Sequence, residues 1–281
     1  MLELPEVEVL KKDLEKEVVG KRVKDVMVET ASIVRPYHRT RPDFVKALEG
    51  RRIEAVRRRG AALFLDLDED QTWIIDPGEN GTLLRETATA DIGDDTHLAV
   101  TFTIGGAIHL IDTSKDPTSH TGVVATGDAL AEAGIEETSM DPLDDNPTWM
   151  EFARLMKHHA MPMKQLLTDR SVMLGLGPVY SDEILWEAGL AHDRQSETLS
   201  TQEVRRFYRA MQEVIAAAIK YRGSTLEDAS PDSVVDEEGE TAEHIKVYGR
   251  DGLPCHRCRS TLVKERLSKG VYTYHCGRCQ M

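Results

Sequence analysis

The chain has 281 residues, 40% of them hydrophobic and 30% charged, with a formal net charge of −14. That length suits two domains with a small extra module, the hydrophobic share builds ordinary cores, and the acidity argues against unspecific nucleic-acid binding. No window approaches about eighteen consecutive apolar residues, and the opening Met1-Leu2-Glu3-Leu4-Pro5-Glu6 is too acidic for a signal peptide, so neither a membrane partner nor export is expected.

Residues 3–19 read as a helix. Pro5 suits a first turn rich in Glu3, Glu6 and Glu8, while Val7, Leu10, Leu14 and Val18 make one apolar stripe that Gly20 ends. Strand signals follow at 23–28, 53–56, 63–67, 73–75, 98–104 and 107–111, interrupted by a short helix at 42–48. Short strands joined by tight turns predict a sandwich of two sheets with the N-terminal helix attached, over residues 1–125. Trp73, Trp149 and Trp186 stand at apolar-face positions and read as core. Asp112 and Asp116 make no convincing carboxylate pair. Arg57, Arg58 and Arg59 read equally as the lining of a groove for DNA or as a solvated strand edge.

From about 126 the apolar period lengthens to that of helices. Helices are expected at 147–157, 163–169 and 179–187, and Ser200-x-x-Glu203 is a capping box for a long one running to about 221. His158-His159 end a helix, where a cation complements the dipole and no metal is needed. Leu174-Gly175-Leu176-Gly177-Pro178 forms a tight turn ahead of a helix; such a turn either holds a phosphate on its N–H groups or is simply a connection. Residues 224–243 are polar and acidic and read as a loop closing a helical domain at 126–245.

All four cysteines lie in the last 27 residues, as Cys255-x-x-Cys258 and, seventeen residues later, Cys276-x-x-Cys279. Two close thiolate pairs match the tetrahedral site of one structural Zn²⁺; a redox pair needs a single C-x-x-C. Apolar alternation at 261–264 and 271–274 around Gly270 predicts a β-hairpin with a knuckle at each end, a zinc finger over 246–281. With four thiolates available, His256 and His275 are expected on the hairpin surface. Reduced cysteines and no targeting signal predict a cytoplasmic protein. Residues 246–281 hold eight Lys/Arg against Asp251 and Glu265, a net of +6 that leaves −20 for residues 1–245. A basic module on an acidic body could grip phosphates locally; equally, the acidity only keeps the protein soluble.

Taken in order, the Glu-Leu-Pro-Glu-Val-Glu helix of residues 3–8, the sandwich, Gly175-Leu176-Gly177 with Tyr180 and Glu183, Ala188-Gly189, and Val247-Tyr248-Gly249-Arg250-x-Gly252-x-Pro254-Cys255 resemble the formamidopyrimidine-DNA glycosylase / endonuclease VIII family. The resemblance spans essentially the whole chain. It implies an α+β fold with a helix-two turns-helix domain, binding to double-stranded DNA that is damaged or abasic, and no nucleotide cofactor. Active members flip the damaged base out and attack the sugar with an N-terminal proline amine, the next glutamate acting as acid/base before β,δ-elimination cuts the strand.

Several positions depart from that pattern. Leu2 stands at the proline position, and because methionine aminopeptidases act before small residues, Met1 is expected to stay; its amine then lies about 3.8 Å beyond the proline's place. A misplacement of about 1 Å can cost about a hundredfold. Glu3 remains. The family's hairpin lysine aligns with Ala61, its intercalating methionine with Glu79, its Asp-Pro-Arg-Arg-Phe loop with 112–116, its asparagine after Gly-x-Gly with Pro178, and its hairpin arginine with Val271. A carboxylate in a base stack is unfavourable by charge and by desolvation. Lys164 matches a family phosphate contact; Lys115, Gly177, Lys269 and Arg278 complete the expected DNA contacts.

Three functions follow from the sequence: a zinc-containing DNA-binding member with impaired or lost base excision, a DNA N-glycosylase/AP lyase using a non-proline N-terminal amine, and an acidic module that binds a basic protein partner. Trapping of a covalent intermediate separates the first two, and the salt dependence of DNA binding separates the first from the third.

Overall fold

The computed structural model describes residues 2–221, 244–268 and 270–281. Met1, Lys269 and the acidic stretch 224–243 lie outside the described residues. The fold is α+β, and the described chain divides into two compact units, the first reaching Glu137 and the second holding Thr138–Tyr221 together with 244–281.

In the first unit, helix α1 (Leu4–Val18) is followed by β1 (Val23–Val28), α2 (Arg41–Leu48), β2 (Ile53–Arg59), β3 (Ala62–Leu67), β4 (Gln71–Asp76), β5 (Gly81–Glu86), β6 (Thr96–Phe102), β7 (Ala107–Asp112), β8 (His120–Ala125) and a single turn, α3 (Ala129–Glu132). Two four-stranded antiparallel sheets, ordered β1-β6-β7-β5 and β2-β3-β4-β8, form the expected sandwich. Their inner faces close on one core, with Val100, Leu110 and Leu83 from one sheet and Leu63, Leu65, Trp73 and Ile75 from the other. The stripe Val7, Leu10, Leu14 and Val18 of α1 is sealed into that same core, which is why the helix forms there. The unit extends past the expected boundary at 125 because Ala129 of α3 packs with Phe64 and Ile74 on the other side of a sheet, with Ala133 and Ile135 against them.

The second unit holds α4 (Trp149–His158), α5 (Met163–Thr168), α6 (Pro178–Ala188), α7 (Thr201–Tyr221) and the hairpin β9 (Val263–Ser268) and β10 (Val271–His275). Phe152 of α4 meets Phe207 of α7 at 5.5 Å between ring centroids. The Ser200 hydroxyl and Glu203 carboxylate cap α7 reciprocally, as their spacing predicts. Helix α6 is buried almost all round, from Val179 through Trp186. Its end is set by Gly189 in the left-handed region at φ 66°, where an added Cβ would lie 3.2 Å from the Cys279 carbonyl oxygen. The cysteine-rich segment, expected as a domain of its own, belongs to the same unit as the helices because several buried polar contacts tie it to α6. Trp149 is only half-buried, with the Arg205 guanidinium 4.2 Å over its ring, so it is no core residue. Among the described residues, no helix is long and apolar enough to cross a membrane.

Candidate functional site

The four cysteines converge. Cys255 and Cys279 sulfurs lie 3.9 Å apart, Cys258 and Cys276 sulfurs 3.5 Å, and all four fall within 4.8 Å of one another. A tetrahedron of thiolates about 2.3 Å from an ion has edges of about 3.8 Å, so the donor set fits a closed four-sulfur metal site. Hydrogen bonds from Ser260 pull the Cys258 thiol down to about 6, whereas burial and the adjacent sulfurs push Cys279 up to about 12. A divalent cation is what lets four deprotonated sulfurs share so small a volume.

The centre is fastened to α6. Trp186 packs on Cys255 and Cys276, and the Arg257 guanidinium lies 3.9 Å over its indole while donating to the Trp186 and Glu187 carbonyls at the helix end. Gln280 receives the Cys276 amide at 2.8 Å and donates to the Leu190 carbonyl at 3.1 Å. Glu183, 4% exposed, accepts the backbone amides of Lys246, Val247 and Tyr248 at 2.9, 2.8 and 2.9 Å. Burial raises its pKa against the pull of those three donors. The neighbouring Asp182 receives Thr273 Oγ1 at 2.6 Å and the Tyr274 amide at 2.9 Å. Sequence reasoning missed Asp182; the signal was an acid pair inside an otherwise apolar helix.

Of the residues expected on DNA, Lys164 is 5% exposed and its three ammonium donors meet the Pro178 carbonyl at 2.9 Å, Ser181 Oγ at 2.7 Å and Asp182 Oδ1 at 2.7 Å. In this state of the protein it is a buried cation whose ammonium is held by those three acceptors. Gly177 is the N-cap of α6, buried, with its carbonyl receiving the Ser181 amide. Arg278 is exposed beside the metal centre, and Lys115 is exposed in the first unit. The outer face of the hairpin carries Lys264 and Arg266, with the Lys264 ammonium 4.7 Å over the Tyr272 ring.

In the first unit Leu2 and Glu3 stand at the head of α1. Leu2 is 4% exposed and belongs to the sandwich core, and Ala61, in the β2–β3 turn, packs against that same core. Glu3 is 1% exposed and forms the N-cap, its amide donating to Glu6 Oε2 at 2.8 Å in a capping box. Two members of the arginine run are paired with carboxylates: Arg57 forms a two-pronged pair with Asp66 at 2.6 Å, and Arg58, 5% exposed, donates to Glu8 at 3.1 Å. Glu79 lies in the β4–β5 turn, its amide held by Thr118 Oγ1 at 2.8 Å; an added Cβ on Gly78, at φ 66°, would strike Thr118 at 2.5 Å. Asp112 organises the facing loop. It is buried, which alone would raise its pKa, but bonds from Ser114, Thr118 and Ser119 outweigh burial and hold it below its ordinary value.

Residues 1–116 match the formamidopyrimidine-DNA glycosylase N-terminal domain, and residues 138–230 match the formamidopyrimidine-DNA glycosylase H2TH domain. A formamidopyrimidine-DNA glycosylase of Nocardioides sp. is 34% identical over 286 residues, covering 100% of this chain and 94% of the relative. One of Enterococcus faecalis is 32% identical, covering 100% and 97%. A solved structure of the complex between the Lactococcus lactis Fpg and an abasic-site-containing DNA superimposes with a TM-score of 0.86 at 24% identity, covering 99% of each chain.

Proposed function

The chain belongs to the formamidopyrimidine-DNA glycosylase family, and on that premise we propose that it is a zinc-holding DNA-binding member whose base-excision chemistry is impaired or lost. The observation that carries this reading is the fate of Leu2. Where the family presents a nucleophilic proline, this chain turns a leucine side chain into the sandwich core, and Ala61, at the position of the family's lysine, packs against the same cluster. Glu3 keeps the acid/base position but stands as a helix cap. An acid/base group without a positioned nucleophile leaves imine formation at C1′ without its first step.

Binding is supported separately. The relatives' DNA repair role and the DNA complexes of the similar structures point to double-stranded DNA, damaged or abasic, as the partner. Zn²⁺ is the ion that best suits four thiolates in two close pairs, and its role is structural because no coordination position is open. The zinc-held hairpin presents Lys264, Arg266 and Arg278 to a phosphate backbone, while Lys115 offers a further cation. Thiols held as zinc ligands suit the reducing cytoplasm.

The test is binding to a duplex with one abasic-site analogue, followed by fluorescence anisotropy across a salt series, with strand scission of a true abasic duplex run beside it. The reading expects affinity to fall by about 0.9 log unit per log unit of salt for each phosphate neutralised, over several phosphates, with no scission. Scission at a rate set by the protein overturns the loss of chemistry. Absence of salt-dependent binding overturns the DNA reading and favours a basic protein partner.

A further inference from the structure

Outside the four-cysteine centre, the second unit assembles another group of metal-ligating side chains. His192 lies in the connection between α6 and α7, Glu265 on β9 and His275 on β10. The Nε2 atoms of His192 and His275 both point at Glu265 Oε2, at 3.2 and 3.9 Å, and one donor atom from each of the three residues falls within 4.8 Å of the others. The two imidazoles lie 5.1 Å apart at a 30° inclination. Their side chains are 12% and 14% exposed while that of Glu265 is 50% exposed, so the group opens to solvent on one side.

The frame holds all three in place. Glu265 pairs with Thr273 across the hairpin, and His275 is two residues beyond Thr273, so the three share the face that Thr273 turns to Asp182. His192 is fixed from behind, its carbonyl receiving the Lys164 amide at 2.9 Å. As a hydrogen-bonded cluster the arrangement is poor. One carboxylate oxygen faces two imidazoles, and only the His192 contact is within bonding range. As a ligand set it is good: bonds of about 2.0–2.2 Å from imidazole nitrogen and carboxylate oxygen separate tetrahedral neighbours by about 3.4 Å, between the two separations observed.

We propose that His192, Glu265 and His275 form a second, solvent-open site for a divalent transition-metal ion of the Zn²⁺ type, distinct from the four-cysteine centre. Two imidazoles and one carboxylate favour Zn²⁺, Co²⁺ or Ni²⁺ over Mg²⁺ or Ca²⁺ and leave coordination positions for water. The site fills after the closed thiolate centre because it has fewer ligands. An ion there joins both hairpin strands to the α6–α7 connection, a clamp independent of the cysteines.

The full chain, carrying one ion on its cysteines, is titrated with Zn²⁺ and separately with Co²⁺. A second equivalent is expected in both. With Co²⁺ it adds weak visible absorption without the intense sulfur-to-metal band of the first. Glu265→Ala and His192→Ala each weaken the second equivalent by more than about tenfold and leave the first intact, and Mg²⁺ does not compete. Glu265 is half-exposed, so its variant tests the site even where the histidine variant fails to fold. Saturation at one equivalent overturns the proposal, as does a second equivalent that Glu265→Ala leaves unchanged.

Discussion

The ammonium of Lys164 sits 2.7 Å from the carboxylate of Asp182, with only 6% and 1% of the two side chains exposed. The pair links α5 to α6 and, through the Tyr274 amide and the Thr273 hydroxyl on the same carboxylate, to β10. Replacing one member leaves an uncompensated buried charge. Lys164→Met is expected to cost about 3–5 kcal/mol in denaturant unfolding, and adding Asp182→Leu should recover much of that loss. The salt slope of DNA binding should not change in the folded fraction of the single variant. A drop of about one phosphate equivalent would return Lys164 to the phosphate contacts.

Metal removal reaches beyond the hairpin. Glu183, Asp182 and Arg257 join the cysteine-rich segment to α6, and Gln280 joins it to Leu190 just past the helix end. Chelation is therefore expected to abolish amide hydrogen-exchange protection in 246–281 and also at the C-terminal turns of α6, while the strands of the sandwich keep theirs. Loss confined to 246–281 would mean that the hairpin folds independently, as its sequence alone suggested.

Asp112 gives a pH-dependent contribution with a defined sign. Its folded pKa lies below the ordinary value of 3.8, so the stability it supplies is present above that value and is lost as pH falls through the folded pKa. Asp112→Asn is expected to cost about 1–3 kcal/mol at neutral pH and to flatten the acid limb of the stability profile below about pH 4. Thermal melts from pH 2 to 7 of both proteins measure this. Parallel curves would remove the carboxylate from the loop's organisation.

Leu2 is predicted to act as a core residue. Leu2→Ala should destabilise the first unit by about 2–5 kcal/mol while leaving duplex affinity within about twofold, as read by denaturant unfolding and anisotropy on one preparation. A large loss of affinity without loss of stability would give the N-terminus a role at the DNA.

Local patterns carried most of the fold. The stripe of α1, the Ser200–Glu203 box and the alternation of six strands all appear in the sequence because each is written within a few residues. The cysteine pairs were legible for the same reason. Strand β5 was missed because a glycine opens it and Arg85 and Glu86 close it, and β8 because Gly122 breaks its apolar pattern. That glycine is there for space: an added Cβ would strike the Tyr37 side chain at 2.3 Å. The relationships that set the site are long-range. Arg58 with Glu8, Lys164 with Asp182, and His192 with Glu265 and His275 join separate elements, and no periodicity announces them. The family position of Lys164 likewise said nothing about the three acceptors waiting inside the unit.

The most direct test of the central claim is borohydride trapping on an abasic-site duplex, with the intact mass of the N-terminus determined on the same sample. Lost chemistry predicts no covalent protein–DNA adduct under conditions where the duplex is bound. An adduct mapped to the N-terminal amine would contradict it, and would make this chain an active glycosylase/lyase that uses an amine other than proline's.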